Sequence, residues 1–255
     1  MLTLSFAWVF IIGLIVGSFL NCLIWRLYKN ETLGGRSYCP RCRSIIAWYD
    51  NIPLLSFFLL KGRCRRCHEK ISWQYPLVEF VTGSLFLVIF QMDRLSPDFS
   101  LLLMRDWFLV ITLVIIFVYD FRWQLVPMMI VWPMSLVILI LNLSLGIPWV
   151  TLVFFGALGT IFFYIQYFLT KKRGLGEGDI WLGLLLGLAF PDAGSLLLIM
   201  VVSYGVGAIA SLILLWLRKK NWQSRIALGP FLALGAIITL IWGERIINWY
   251  LQLFS

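Results

Sequence analysis

The chain has 255 residues, of which 61% are hydrophobic and only 13% are charged, against about 25% charged in soluble domains. This composition excludes an ordinary soluble globular protein and predicts an all-α polytopic membrane protein. The formal net charge of +9 does not require a nucleic-acid partner, and we expect none. We ascribe it to membrane topology and to attraction between basic loops and a lipid bilayer with anionic headgroups.

Eight apolar segments recur along the chain, and a membrane span needs about 20 residues. The first segment lacks a basic leading region and a small-residue cleavage site, so it predicts a first transmembrane helix rather than a cleaved signal peptide. The sixth is short, about 11 residues or about 16 Å of helix. We predict about eight transmembrane helices, over residues 4–27, 76–92, 101–119, 126–146, 149–170, 180–190, 194–217 and 226–246.

Lysine and arginine are distributed unequally between the two sides of the membrane that these spans define. Ten of the 21 lie from Arg26 to Lys70. Eight more fall on the same side: Arg122, Lys171, Lys172, Arg173, Arg218, Lys219, Lys220 and Arg225. Because cytoplasmic loops are enriched in basic residues, the pattern predicts an N-terminus outside and a long first loop in the cytosol.

The first loop, residues 28–75, contains four of the five cysteines, with the spacing C-x2-C-x21-C-x2-C. Two C-x2-C pairs are typical of a four-thiolate zinc site, and the neighbouring arginines would favour thiolates. Two disulfides or free thiols are the alternative, but the cytosol is reducing, which disfavours disulfides. Four thiolates leave zinc no open position, so we expect a structural ion. Its predicted ligands are Cys39, Cys42, Cys64 and Cys67, whereas the fifth cysteine, Cys22, is expected to pack within the first span.

Acid–base chemistry in this chain must rest on carboxylates, because its only histidine, His68, follows the fourth of these cysteines. The carboxylates predicted at cytosolic helix ends are Glu79, Asp120, Glu177 and Asp179. We expect Glu79 to pair with basic residues of the loop. We expect Glu177 to face solvent or substrate.

Asp120 and Asp179 are 59 residues apart but are predicted at the same membrane leaflet. Two carboxylates that converge in a partly dry site can share one proton. One can then act as a general base on water while the other, protonated, polarises a scissile carbonyl, as in aspartic proteases. Asp179 ends a Gly-x-Gly-Asp string, and we expect Gly176 and Gly178 to allow unusual backbone angles and close approach of a substrate. The alternative is that Asp179 only caps a helix.

Six motifs occur in a specific order along most of the chain. They are GLIVGSFLNCLIWRL (13–27), CPRC (39–42), YDNIPLLSFFLLKGRCRRC (49–67), ISWQYPLVEFVTG (71–83), DFRWQLVP (120–127) and GEGDIWLGLLLG (176–187). Together they resemble the bacterial prepilin peptidases, the GxGD membrane aspartic peptidases that process type IV pilins and related pseudopilins.

This resemblance implies a multi-pass enzyme of the bacterial inner membrane with catalytic residues Asp120 and Asp179 at its cytosolic face. It would cleave the short basic leader of type IV prepilins and pseudopilins after a glycine. Many members then methylate the new N-terminal residue with S-adenosylmethionine, an activity associated with the cysteine-bearing loop. Gly62 and Arg63 match a pair that the family links to methylation, although the family usually has lysine at the second position. Met128 stands where some members carry a second acid, which removes one competing carboxylate and makes Asp120 the less ambiguous choice.

These observations predict three regions: a first transmembrane helix (1–27), a zinc-binding cytosolic loop associated with methylation (28–75) and a multi-helix membrane aspartic peptidase domain (76–255). A transporter or channel that uses the two aspartates for ions or protons is the main alternative, but its acids would lie nearer the midplane. A membrane scaffold gives no reason for two acids at one leaflet. A presenilin-like protease, which cuts within a helix, would not explain the presence of the cysteine loop.

Overall fold

The computed structural model describes residues 2–170, 175–217 and 227–253, and these are helical outside the connections and the loop that follows the first helix. They contain no β-strand, only two isolated β-bridges. The chain divides into two compact units, Met1–Leu95 and Ser96–Ser255. The prediction of an all-α protein with a small loop domain is confirmed.

The first unit consists of α1 (Leu2–Lys29), a loop that carries the short helix α2 (Leu55–Leu59), and α3 (Gln74–Asp93). Helices α1 and α3 pack closely because small residues line their contact. A Cβ atom on Gly13 would lie 2.7 Å from the Cα atom of Gly83, and one on Gly17 would lie 2.7 Å from that of Glu79. Any larger residue at either glycine would separate the two helices.

Arg26, near the end of α1, organises the segment that follows the helix. Its buried guanidinium donates hydrogen bonds to five consecutive backbone carbonyls, those of residues 32–36, over 2.5–3.3 Å. Nη1 contacts three of these carbonyls and Nη2 contacts two, so their four N–H groups, with at least one shared, satisfy a turn that has no regular secondary structure. The loop is thereby anchored to α1 before its first cysteine.

The second unit consists of six helices: α4 (Phe99–Trp123), α5 (Met128–Ser144), α6 (Trp149–Leu169), α7 (Glu177–Ala189), α8 (Ala193–Trp216) and α9 (Gly229–Gln252). Helix α6 packs against α7, α8 packs against α9, α4 packs against α9, and α5 packs against both α7 and α4. On α7, a Cβ atom on Gly187 would overlap the carbonyl group of Phe155 in α6, so glycine again sets the helix separation. The buried amide of Asn142 in α5 donates to the Leu188 carbonyl of α7 at 2.7 Å.

Each of the eight predicted apolar segments lies largely within a single helix of the described residues. Six of these helices are long and apolar enough to cross a membrane, which makes the chain a multi-pass membrane protein. Helix α5 has 17 residues and α7 has 13, so a count of eight spans stays a prediction. At 1.5 Å per residue α7 is about 20 Å long, against about 30 Å for the hydrocarbon core of a bilayer. The predicted cytosolic residues 171–174 and 218–225 lie outside the described part of the chain.

Candidate active site and metal centre

Asp120 lies in the last turn of α4, where 5% of its surface is exposed. The helix ends at Trp123 because Gln124 adopts a left-handed conformation and donates its backbone N–H to the Asp120 carbonyl at 2.8 Å. The side-chain Oδ2 of Asp120 accepts a hydrogen bond from the backbone N–H of Gly229 at 2.8 Å. The start of α9 therefore holds this carboxylate.

Asp179 lies in the first turn of α7 and is 7% exposed. Its Oδ2 accepts a hydrogen bond from the backbone N–H of Gly176 at 2.9 Å, as the third helical residue does in a capping box. The capping role that we considered for Asp179 is therefore present, although at this position rather than at the N-cap. It uses one oxygen of the carboxylate and leaves the other, Oδ1, for a second role.

The second unit brings these two aspartates together. Helix α5 packs against both α4 and α7, and the charges of Asp120 and Asp179 interact electrostatically. Among the described residues, the Oδ1 atom of neither aspartate accepts a hydrogen bond. Two buried negative charges that interact repel each other, whereas a pair that shares one proton avoids this repulsion. The arrangement is therefore suited to general acid–base chemistry on a water molecule.

The glycines of the Gly-x-Gly-Asp string are explained differently from our expectation. Gly176 has an extended backbone (φ −84°, ψ 157°) that any residue adopts, and Gly178 lies in the first turn of α7. A Cβ atom on Gly178 would lie 2.5 Å from Cγ2 of Val126 in the α4–α5 connection. The expectation of unusual backbone angles is therefore wrong. Gly178 does permit a close approach, but the approaching group is Val126 of the same chain.

Two residues near the aspartates were not predicted. One is Gly229, whose following proline indicates a helix start but does not indicate Asp120 as the partner. The other is Tyr204 of α8, which interacts electrostatically with Asp179 and donates its hydroxyl to the side chain of Gln166 at 2.7 Å. A lone tyrosine in an apolar helix gave no signal, because its neighbours are set by tertiary packing.

The other two candidate carboxylates have separate environments. Glu177 is exposed, as expected, and accepts a hydrogen bond from the Tyr167 hydroxyl at 2.8 Å. Glu79 is buried in α3, and its Oε2 accepts a hydrogen bond from the backbone N–H of Leu54 at 2.8 Å. Leu54 has a positive φ of 59°, so Glu79 supports a strained turn. No cation among the described residues forms a salt bridge with Glu79, and the expected ion pair is wrong.

The four cysteines of the loop converge on one point. Their sulfur atoms all lie within 4.8 Å of one another, and those of Cys39 and Cys67 are 3.8 Å apart. Four sulfurs arranged tetrahedrally at about 2.3 Å from a zinc ion would be about 3.8 Å apart. None of these four cysteines forms a disulfide. The cluster can therefore bind one metal ion.

The two C-x2-C segments adopt the same turn. Cys39 and Cys64, the first cysteine of each pair, accept a backbone hydrogen bond from the residue four positions later, at 2.9 and 3.0 Å. That residue is Arg43 in the first turn and His68 in the second, with positive φ values of 53° and 55°. An isolated β-bridge closes each turn. Because the turns are equivalent, each presents its two sulfurs in the same way, and His68 is an exposed part of the second turn.

Salt bridges connect the two turns with each other and with the segment between them. Arg41, inside the first C-x2-C pair, lies 3.0 Å from the Glu69 carboxylate. Arg65, inside the second, donates to both oxygens of Asp50 at 2.6 and 2.8 Å. These hydrogen bonds hold the pKa of Asp50 below its usual range. One arginine within each cysteine pair is thus engaged by a carboxylate.

The pair Gly62–Arg63 lies directly before the second C-x2-C turn. Gly62 has a positive φ of 65°, and a Cβ atom there would lie 3.2 Å from the ring of Phe57. Its N–H donates to the Phe57 carbonyl at 2.8 Å. Arg63 is exposed and forms one of the β-bridges, with Lys70. The loop's own geometry therefore requires the glycine and leaves the arginine side chain open to solvent.

Comparison with known proteins extends over both compact units. Residues 11–92 match the bacterial peptidase A24 N-terminal domain, and residues 107–215 match the type IV leader peptidase family. The chain is 34% identical to a prepilin leader peptidase/N-methyltransferase of Aeromonas salmonicida, with 98% of this chain and 94% of that protein covered. A protein of the same name from Legionella pneumophila is 31% identical, with 94% and 92% covered. One from Vibrio cholerae is 36% identical, with 71% and 77% covered.

No solved structure matched the chain. The similarity to these enzymes nevertheless continues from α1 into α9 and spans nearly the whole of the first two relatives. The sequence similarity covers the cysteine loop and the helices that carry the two aspartates. The chain therefore belongs to the type IV leader peptidase family.

Proposed function

We propose that this enzyme cleaves the basic leader of type IV prepilins and pseudopilins after a glycine, with Asp120 and Asp179 as its catalytic pair. The observation that carries the proposal is the pair itself: two buried carboxylates that interact electrostatically, each with one oxygen held by a backbone N–H. The prepilin leader as substrate rests on the names of the relatives, whereas the basic leader, the glycine and the pseudopilins rest on the motif resemblance. Ionisable residues in membrane helices are rare and usually functional, so two buried aspartates at neighbouring helix ends indicate function.

The proposed reaction follows from a pair that holds one proton. The ionised carboxylate removes a proton from water, and the resulting hydroxide attacks the carbonyl carbon of the scissile bond. The protonated carboxyl donates a hydrogen bond to the carbonyl oxygen as that oxygen gains charge. Collapse of the tetrahedral intermediate breaks the C–N bond, and a proton passes to the leaving amine. Hydrogen bonds from Gly176 and Gly229 hold Oδ2 of Asp179 and Asp120, and we propose that the Oδ1 atoms perform these steps.

We further propose that the enzyme methylates the new N-terminal amine, because the relatives are also named N-methyltransferases. S-adenosylmethionine would supply the methyl group, and the amine would lose a proton. The loop at 28–75 is the candidate region for this step, with Gly62 and Arg63 as its candidate residues. In this proposal residues 1–27 form the first membrane helix and residues 76–255 form the peptidase domain. Zinc, bound by the four cysteines, would hold the loop's fold and perform no step of either reaction.

The direct test of both activities is mass spectrometry of a prepilin's N-terminus after incubation with the purified enzyme in detergent or lipid, with and without S-adenosylmethionine. We expect loss of the leader in both samples and a gain of one methyl group only with the methyl donor. Cleavage without methylation would restrict the proposal to the peptidase. An intact leader under all conditions would contradict it.

The topology that we propose places the N-terminus outside the inner membrane and the active site at the cytosolic face. Most basic residues then lie in the cytosol, next to anionic headgroups. Single cysteines or reporter fusions within 28–75, 171–178 and 218–225 should be accessible only from the cytosol. Labelling of the loop at 28–75 from the periplasm would contradict the orientation and would also remove the reducing environment that favours a metal site.

A further inference from the structure

The start of α9 has a feature that the sequence motifs did not identify. Gly229 is buried, and its N–H donates to Oδ2 of Asp120 across 109 residues of sequence. The N–H groups in the first turn of a helix have no partner within the helix. Pro230, the next residue, has no N–H at all. Gly229 therefore supplies the donor that this end of α9 offers to Asp120.

The carboxylate also explains why this residue is glycine. If Gly229 carried a Cβ atom, its three nearest neighbours would all belong to Asp120: Oδ2, which it would overlap, Cγ at 3.1 Å and Cβ at 3.3 Å. The backbone of Gly229 does not have a positive φ, so the conformation itself does not require glycine. The need for glycine arises from the aspartate that approaches it.

We propose that Gly229 is a positioning residue for Asp120, which fixes Oδ2 and thereby presents Oδ1 for catalysis. The inference rests on the proposed function of Asp120. The other aspartate is held by the same kind of hydrogen bond, because the backbone N–H of Gly176 donates to Oδ2 of Asp179 at the start of α7. In both cases the donor belongs to the backbone, which cannot rotate away as a side chain can. Each aspartate is thus held by the first residues of a helix in the second unit.

The test compares two glycine-to-alanine substitutions on the same helix. In Gly229→Ala, the new methyl group displaces the Asp120 carboxylate, and a misplacement of about 1 Å at a catalytic group costs about 10²-fold in rate. We expect kcat for prepilin cleavage to fall by that factor, KM to change little and the pH dependence of kcat to move. Gly235→Ala is the matched control, because its Cβ atom would crowd Ser203 and Ile199 of α8 instead. It should lower the thermal midpoint but keep the wild-type pH dependence.

A second measurement does not depend on activity. Gly229→Ala should lower the thermal midpoint of the wild-type chain much more than that of an Asp120→Ala chain, from which the crowded carboxylate is absent. Equal shifts in the two backgrounds, or a wild-type kcat and pH profile in Gly229→Ala, would overturn the inference. If the wild-type enzyme leaves prepilin intact, the proposed function itself fails, whereas the thermal coupling still reports whether Gly229 contacts Asp120.

Discussion

Asp120→Asn and Asp179→Asn should each abolish prepilin cleavage while the protein remains folded and inserted in the membrane. Asparagine preserves the volume of the side chain and keeps an oxygen that can accept the N–H of Gly229 or Gly176. It cannot remove a proton from water, and it cannot share a proton with the other carboxylate. A positioned general acid or base typically contributes about 10²–10⁴-fold to a rate, so the loss should be complete in an ordinary assay.

The double variant should be no worse than either single one, because residues that act as a unit are not additive. The wild-type pH–rate profile should likewise belong to the pair rather than to one residue. Methylation of a previously cleaved pilin should survive in both single variants, which separates the two activities. These measurements need only purified variants, a prepilin, its cleaved form and mass spectrometry.

Two other acids serve as controls. Glu177→Gln should have a mild effect, because Glu177 is exposed and contacts Tyr167. Asp106→Asn tests burial, since Asp106 is also a buried aspartate of α4 but is paired with Arg105 at 2.6 Å. It lies 14 residues before Asp120, or about 21 Å along the helix, and should retain cleavage. Near wild-type processing by Asp120→Asn would show that the pair is assigned wrongly.

The sequence predicted the parts of this site that depend on membrane sidedness. Helix ends on one side of a bilayer lie at a similar depth, at one membrane surface. Asp120 and Asp179 could therefore be placed at the same surface without knowledge of how the helices pack. The packing itself was not predictable. Gly229 contacts Asp120 across 109 residues, and Gly178 is glycine because of Val126 in another connection. Such contacts depend on the angles and separations of helices, which apolar periodicity does not encode.

The cysteine loop shows the same division between local and tertiary information. The C-x2-C spacing is local, and it predicted four sulfurs at one point because each short turn fixes two of them. The partners of charged residues are not local. Glu79 was expected to pair with a cation, but it accepts the N–H of Leu54, a residue whose positive φ no sequence pattern indicated. A buried carboxylate needs a hydrogen-bond donor, and here a backbone N–H supplies it instead of a lysine.

The final prediction is that the purified enzyme contains about one zinc ion per chain and that the ion stabilises the loop. In Cys39→Ser or Cys64→Ser, three thiolates remain, zinc content should fall to near zero, and the loop should become sensitive to protease. The reason is that metal binding supplies folding energy, about 10–16 kcal/mol in small zinc-finger peptides. A chelator strong enough to remove zinc should have the same effect on the wild-type enzyme.

The two activities should respond unequally to loss of the ion. The cysteines and the two aspartates belong to different compact units, so methylation should fall far more than cleavage. Cys22→Ser is the matched control, because Cys22 lies in α1 outside the cluster, and this variant should keep both its zinc and its methylation. Metal analysis, limited proteolysis and N-terminal mass spectrometry of the same samples provide the measurements. Disulfides at full stoichiometry in enzyme prepared under reducing conditions, or unchanged zinc in both Cys39→Ser and Cys64→Ser, would contradict a four-thiolate site.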